Sequence, residues 1–156
     1  MFVIQSLDHF VLTVQDIEKT AYFYQRALGM RLIEFGDHRK ALVFGQQKIN
    51  LHKAGHEFEP KAKSPLPGSA DFCLITDSPI EQVIEHLATC NVPIEEGPIV
   101  RTGAVGPILS VYVRDPDEKS KGDRLGSGNL FSAFIEKSES SCQFQIKFKI
   151  IAACEQ

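Results

Sequence analysis

No apolar run in this 156-residue chain approaches the roughly 18 residues that a membrane span needs. The N-terminus, MFVIQSLDH, also lacks the basic start and long apolar core of a secretory signal. Cytoplasmic residence without membrane contact is therefore the expectation. A basic stripe is missing too: the formal net charge is −3 and the Lys and Arg residues are dispersed, which speaks against a nucleic-acid partner. The four cysteines (Cys73, Cys90, Cys142 and Cys154) form no C-x-x-C pair and show no zinc-finger spacing. Without a secretion signal, a disulfide framework is not expected, so the thiols read as small buried groups or stray surface ones. Nor does Gly-Lys-Ser/Thr follow the glycine-rich RTGAVGP stretch, which excludes a phosphate-binding P-loop there.

What is present is patterned for a soluble globular fold. Hydrophobic residues make up 43% of the chain and charged residues 24%, enough apolar content to build a core. The length suits one domain or two half-domains around a shared core. From Leu7 to Val14 the residues alternate as a strand does, with His9, Val11 and Thr13 on one side and Phe10, Leu12 and Val14 on the other. A helix follows, with Asp16 as N-cap, Ile17, Ala21, Tyr24 and Leu28 at helical spacing, and Gly29 to end it. Tyr22, Phe23 and Tyr24 are expected to pack that helix on a sheet. The segments RLIEF, KALVF and KINLH then read as strands, with turns at Gly36-Asp37 and Gly45-Gln46. The order is β-α-β-β-β.

A Pro- and Gly-rich linker, GHEFEPKAKSPLPGS, interrupts, and the pattern starts again. ADFCLIT reads as a strand. SPIE opens a helix with an S-x-x-E capping box and Pro79 at the first helical position, and Ile80, Val83, Ile84 and Leu87 give it an apolar face. VPIEEGP and ILSVYVRD are the next strands. Aligned on the first strands, His9 stands opposite Asp71, and His52 ends the last strand of the first copy. After VRDPD the repeat fails: the next residues are polar and Gly/Ser-rich up to Leu130, and QFQIKFKII near the end alternates as a strand.

Taken alone, His9 and His52 suit a hydrogen-bonded core position or a solvated strand end as well as a ligand role. Asp71 opens an apolar strand, where a carboxylate must be paired, capped or metal-bound. The duplication brings these positions into correspondence. Two imidazoles and a carboxylate suit a divalent transition metal: Zn, Ni, Fe, Mn or Co. Arg101 in RTGAVGP reads either as a cation for an anionic substrate on a mobile loop or as an exposed residue of a β-connection.

In order along the chain, LDHFVLTV, FYQRALGM, KINLHKAG, EFEPKA, PGSADFCLIT, VPIEEGPIVRTGAVGPI and SVYVRDPD resemble the vicinal oxygen chelate superfamily, the glyoxalase/bleomycin-resistance/dioxygenase group. The resemblance runs from Gln5 to Asp117. It implies an α+β fold of two tandem βαβββ modules forming a cup-shaped mixed sheet around a metal, with the last strand of the second module in doubt. Residues 1–117 would be that domain, as module 1 (5–55), linker (56–68) and module 2 (69–117), and 118–156 a divergent segment. The implied ligands are His9, His52 and Asp71, a position where His is common. The fourth is a Glu after a DPDxNLIE-like hairpin, which here departs after Asp117. Glu136 in LFSAFIEK is a substitute if the strand restarts there; otherwise it is a surface residue of an aberrant tail.

The implied activity is that of a metal-dependent lyase or isomerase of the glyoxalase type. Its substrate would be small and oxygenated, such as a thiol–aldehyde adduct, with the second-module Glu serving as ligand and base. A non-catalytic small-molecule binding protein and an inactive variant without the last Glu are the alternatives. The half-cups of this family meet within one chain or across a homodimer.

Overall fold

The computed structural model describes residues 1–117, 130–137 and 144–145, the last two segments as strand backbone. The chain divides into two compact units, Met1–Pro67 and Gly68–Gln156.

In the first unit, β1 (His9–Val14) leads into α1 (Ile17–Leu28), followed by β2 (Arg31–Phe35), β3 (Arg39–Phe44) and β4 (Gln47–Lys53). The Asp16 side chain accepts the Lys19 amide at 3.0 Å, satisfying one of the free N–H groups of the first turn of α1. Gly29 stops the helix at φ 65°, a left-handed conformation that glycine adopts without steric cost. The strands order as β1-β4-β3-β2, with β1 parallel to β4 and the other pairs antiparallel. One face of this sheet is apolar. Leu12, Val14, Leu42, Ile49 and Leu51 are buried there with Ala21 and Tyr24 of α1, each Leu contributing roughly 2 kcal/mol. Lys40 on the same face pairs with Glu18 of the helix.

The expectation for the three adjacent aromatics of α1 needs correcting. Tyr24 is wholly buried, whereas Tyr22 is 63% exposed and its ring lies 5.9 Å from the Arg26 guanidinium carbon. Residues two apart on a helix point to nearly opposite sides, so a run of aromatics cannot all reach one sheet. The first strand is also less enclosed than its composition implies: Leu12, Thr13 and Val14 are buried, but Val11 is exposed.

The second unit repeats the order: β5 (Cys73–Ile75), α2 (Ile80–Thr89), β6 (Ile94–Thr102), β7 (Pro107–Arg114) and β8 (Leu130–Lys137). Its strands run β5-β8-β7-β6, again with the first strand parallel to the last, and β9 (Phe144–Gln145) pairs with β8. The doubtful last strand is thus formed, by residues beyond the point where the sequence departs from the repeat. Two mixed α+β modules of identical topology are the result. Ile80 and Leu87 of α2 are buried, as are Val111 and Val113 of β7.

The capping box expected at SPIE is not made. Pro79 occupies the N-cap with no side-chain bond, and Ser78 instead donates its amide to Thr76 Oγ1 at 3.3 Å. Register shifts interrupt β6 between Ile94 and Ile99. At Gly97, φ is 107° and an added Cβ would lie 2.2 Å from the Ser110 carbonyl oxygen, so only glycine lets β6 approach β7 there. Cys73 is exposed and Cys90 partly buried, its Sγ 3.6 Å from His86 Nε2; Cys142 and Cys154 lie outside the described residues.

Candidate functional site

The face of the first sheet opposite α1 is polar, and strand register defines it. Thr13 pairs with His52, Val11 with Asn50 and His9 with Lys48. Across β3, Asn50 pairs with Ala41, so Arg39, two residues earlier, stands diagonal to Asn50. Paired residues point the same way, and alternation then brings His9, Asn50, His52 and Arg39 to one surface. Asn50 lies between the two imidazole positions, diagonal to His9 and two residues from His52.

Each of these side chains has its own setting. His9 is half-exposed, and its Nδ1 lies 2.6 Å from Asp8 Oδ1. A carboxylate on Nδ1 fixes the ring and leaves Nε2 with the lone pair, the arrangement usual for a metal-bound histidine. His52 is 7% exposed, and its Nδ1 is buried without a hydrogen-bond partner among the described residues. Burial lowers the His52 pKa; Glu57 opposes the shift, while the Arg39 and Lys61 charges add to it. Its ring is therefore neutral at pH 7. Asn50 Oδ1 and Arg39 Nε are likewise buried and unpartnered among the described residues.

Phe58 covers this end of the sheet. Its ring meets His52 edge-to-face at 5.5 Å between centroids, and the Arg39 guanidinium carbon lies 4.7 Å from its centre. The loop carrying Phe58 is held by Glu57, which accepts the Gly55 amide at 2.8 Å and Lys61 Nζ at 3.0 Å. Those bonds, that from Lys61 foremost, bring the Glu57 carboxyl down to about 2.

The second unit places the remaining expected residues differently. Asp71 is exposed and precedes β5 by two residues, outside the strand assigned to it from sequence. RTGAVGP forms a β-connection: Gly103 N donates to Gly106 O at 2.7 Å between β6 and β7. Arg101 is the penultimate residue of β6, where Nε donates to Tyr112 Oη at 2.9 Å and Nη2 donates to Glu96 Oε1 at 2.6 Å. Its charge is thus already engaged. Glu136 falls within β8, opposite Ile108 in the register, with its side chain outside the described residues.

His9 and His52 therefore share a face, four positions apart along the β1–β4 ladder. Among the described residues, no three His, Cys, Asp or Glu side chains converge closely enough to hold a metal ion. The donor chemistry of each imidazole suits a divalent transition metal, a carboxylate-oriented ring at His9 and a neutral one with an orphaned buried nitrogen at His52. Four positions along the strands set the two about 13 Å apart, too far for one ion to take both.

Arg39, Asn50 and Phe58 were not singled out by sequence reasoning. The alternation of KINLH already places Asn50 on the face of His52. Arg39 becomes its neighbour only through the β3–β4 register, and Phe58 lies in a segment that composition marks as linker.

The family model for the Glyoxalase/Bleomycin resistance protein/Dioxygenase superfamily matches residues 6–118. The chain belongs to this superfamily. Virulence protein STM3117 of Salmonella typhimurium is 53% identical over 115 residues, covering 74% of this chain and 80% of that protein. Its crystal structure superposes with a TM-score of 0.73, covering 74% of this chain and 92% of that one at 52% identity. The glyoxalase domain-containing protein RDO1 of Mycosarcoma maydis is 56% identical over 114 residues, 73% of this chain and 64% of that protein. A lactoylglutathione lyase from Agrobacterium tumefaciens matches at 19% identity with a TM-score of 0.58, covering 83% and 92% of the two chains; that likeness is one of fold alone. No helix among the described residues is long and apolar enough to cross a membrane.

Proposed function

We propose that the chain is a metal-dependent lyase or isomerase of the glyoxalase type, acting on a small oxygenated substrate such as the hemithioacetal of a thiol and an aldehyde. Within the superfamily, its ordered motifs are similar to those of glyoxalase domain-containing protein 5. The observation that carries this reading is the imidazole of His9 at the head of the first strand, oriented through Nδ1 by Asp8 so that Nε2 is left to bind. His9 would be the metal's ligand in the first module, the ion being Zn, Ni, Fe, Mn or Co. When bound, it would supply Lewis-acid stabilisation of the charge that develops on substrate oxygen.

The chain's own residues take the other tasks. Asp8 fixes the ring of His9. Phe58 shields His52 from water on one side. Glu136, in the last strand of the second module, is the carboxylate proposed to take the proton from the substrate carbon. Arg101 is proposed as a substrate contact, steadied by Glu96 and Tyr112.

A second reading is favoured by one feature, the departure from the family hairpin after Asp117. It is a small-molecule binding protein on the same fold, or an inactive variant without the last ligand. A hemithioacetal isomerase assay after reconstitution with each of the five ions separates the two. Turnover that is lost in chelator and restored by metal supports the enzyme; no turnover with any ion contradicts it. Ligand-induced thermal stabilisation that persists in chelator favours the binding protein.

A further inference from the structure

We propose that Arg39 and Asn50, beneath Phe58, form a subsite on the first module for a carboxylate that carries a neighbouring hydroxyl group. Three observations meet there. Arg39 is a half-buried cation that no carboxylate pairs among the described residues, and its buried Nε–H has no acceptor. Leaving such a donor unmet is costly, the more so for a charged group, so a native site that keeps it open favours an incoming acceptor. The Nε edge of a guanidinium presents two parallel N–H groups, a geometry that matches the two oxygens of a carboxylate.

Asn50 supplies the second element. Its Oδ1 is buried and unpartnered among the described residues, so it requires a donor from the ligand. It stands diagonal to Arg39 across the β3–β4 ladder, where such positions lie roughly 7–8 Å apart. A carboxylate on Arg39 then leaves an adjacent hydroxyl within reach of the amide oxygen. Ala41, in the row of Asn50, has the small side chain that keeps the space beside the amide open. Phe58 is the third element. It lies against both the guanidinium and His52, excluding water from one side of the cation and strengthening its hold on an anion.

The inference deepens the proposed function, resting on it for the substrate's position on this face, but the binding itself needs no metal. It is tested on the full chain in chelator, by NMR titration with glycolate, propionate and inorganic phosphate. Glycolate is expected to bind at least fivefold more tightly than propionate, with shifts centred on β3, β4 and Phe58. Arg39→Met should weaken glycolate at least tenfold and Arg39→Lys less. Asn50→Leu should bring glycolate down to the level of propionate. Circular dichroism and melting of each variant identify any that fail to fold, and Arg39→Lys then carries the test. Equal affinity of wild type and the Arg39 variants for glycolate would overturn the subsite. Equal binding of glycolate and propionate to wild type would overturn the role of Asn50, and tighter binding of phosphate than of glycolate would overturn the carboxylate class. Because chelator is present throughout, failure here is distinct from failure of the metal-dependent activity.

Discussion

Asp8 Oδ1 stands 2.6 Å from His9 Nδ1, so the residue just before the first strand orients the imidazole that opens it. If His9 is a ligand, Asp8 acts through it as a positioning residue. Asp8→Asn should weaken divalent metal binding by about 10–100-fold while leaving the melting temperature of the metal-free protein unchanged. Competition titration against a chromophoric chelator measures the first effect and calorimetry the second. An unchanged affinity would separate Asp8 from the site.

Glu57 gives a prediction for pH. Its carboxyl titrates at about 2 in the fold, below its ordinary value of 4.5, mainly because Lys61 and the Gly55 amide bond its charged form. A folded-state pKa below the unfolded one means the unfolded chain binds more protons between the two values. The contribution is thus complete above about 4.5 and is lost as pH falls towards 2. Glu57→Gln should lower the melting temperature at pH 7 and flatten its decline between these limits. A decline as steep as that of wild type would contradict the assignment.

Gly97 tests the packing of the second module. An alanine there combines a φ of 107° with a Cβ 2.2 Å from the Ser110 carbonyl oxygen. Gly97→Ala should destabilise the protein by more than about 1 kcal/mol in urea unfolding, and the amide signals of β6 and β7 should shift before those of the first module. A stability within error of wild type would contradict the described approach of the two strands.

The core of the first module offers a control that leaves the polar face alone. Leu42 is fully buried against α1, so Leu42→Ala should cost roughly 2–5 kcal/mol by denaturant titration. Its effect on metal affinity, measured well below the unfolding transition, should be small.

Local chemistry made much of this fold legible. Asp16 and Gly29 bracket α1 because capping and left-handed termination depend on single residue types, and alternation in β1 and β4 separates the Leu12–Leu51 face from the His9–His52 face. Features set by tertiary contact were not. Ser78 had the sequence of a capping box but bonds Thr76 instead. Arg39 joins His52 through strand pairing between segments, which no local period encodes, and Phe58 reaches the sheet from a stretch whose prolines read as linker. For Arg101, the sequence left two readings open because its partners Glu96 and Tyr112 lie on different strands. The last strand of the second module was obscured for another reason: the segment from Glu118 to Asn129 breaks the repeat before Leu130 resumes it.

Metal analysis of the full chain after reconstitution and dialysis tests the account most directly. With each of the five candidate ions in turn, wild type should retain stoichiometric metal for at least one, and His9→Ala should lose it while remaining folded. Failure of wild type to retain any ion, or full occupancy in His9→Ala, would contradict the proposal that this sheet face holds a metal.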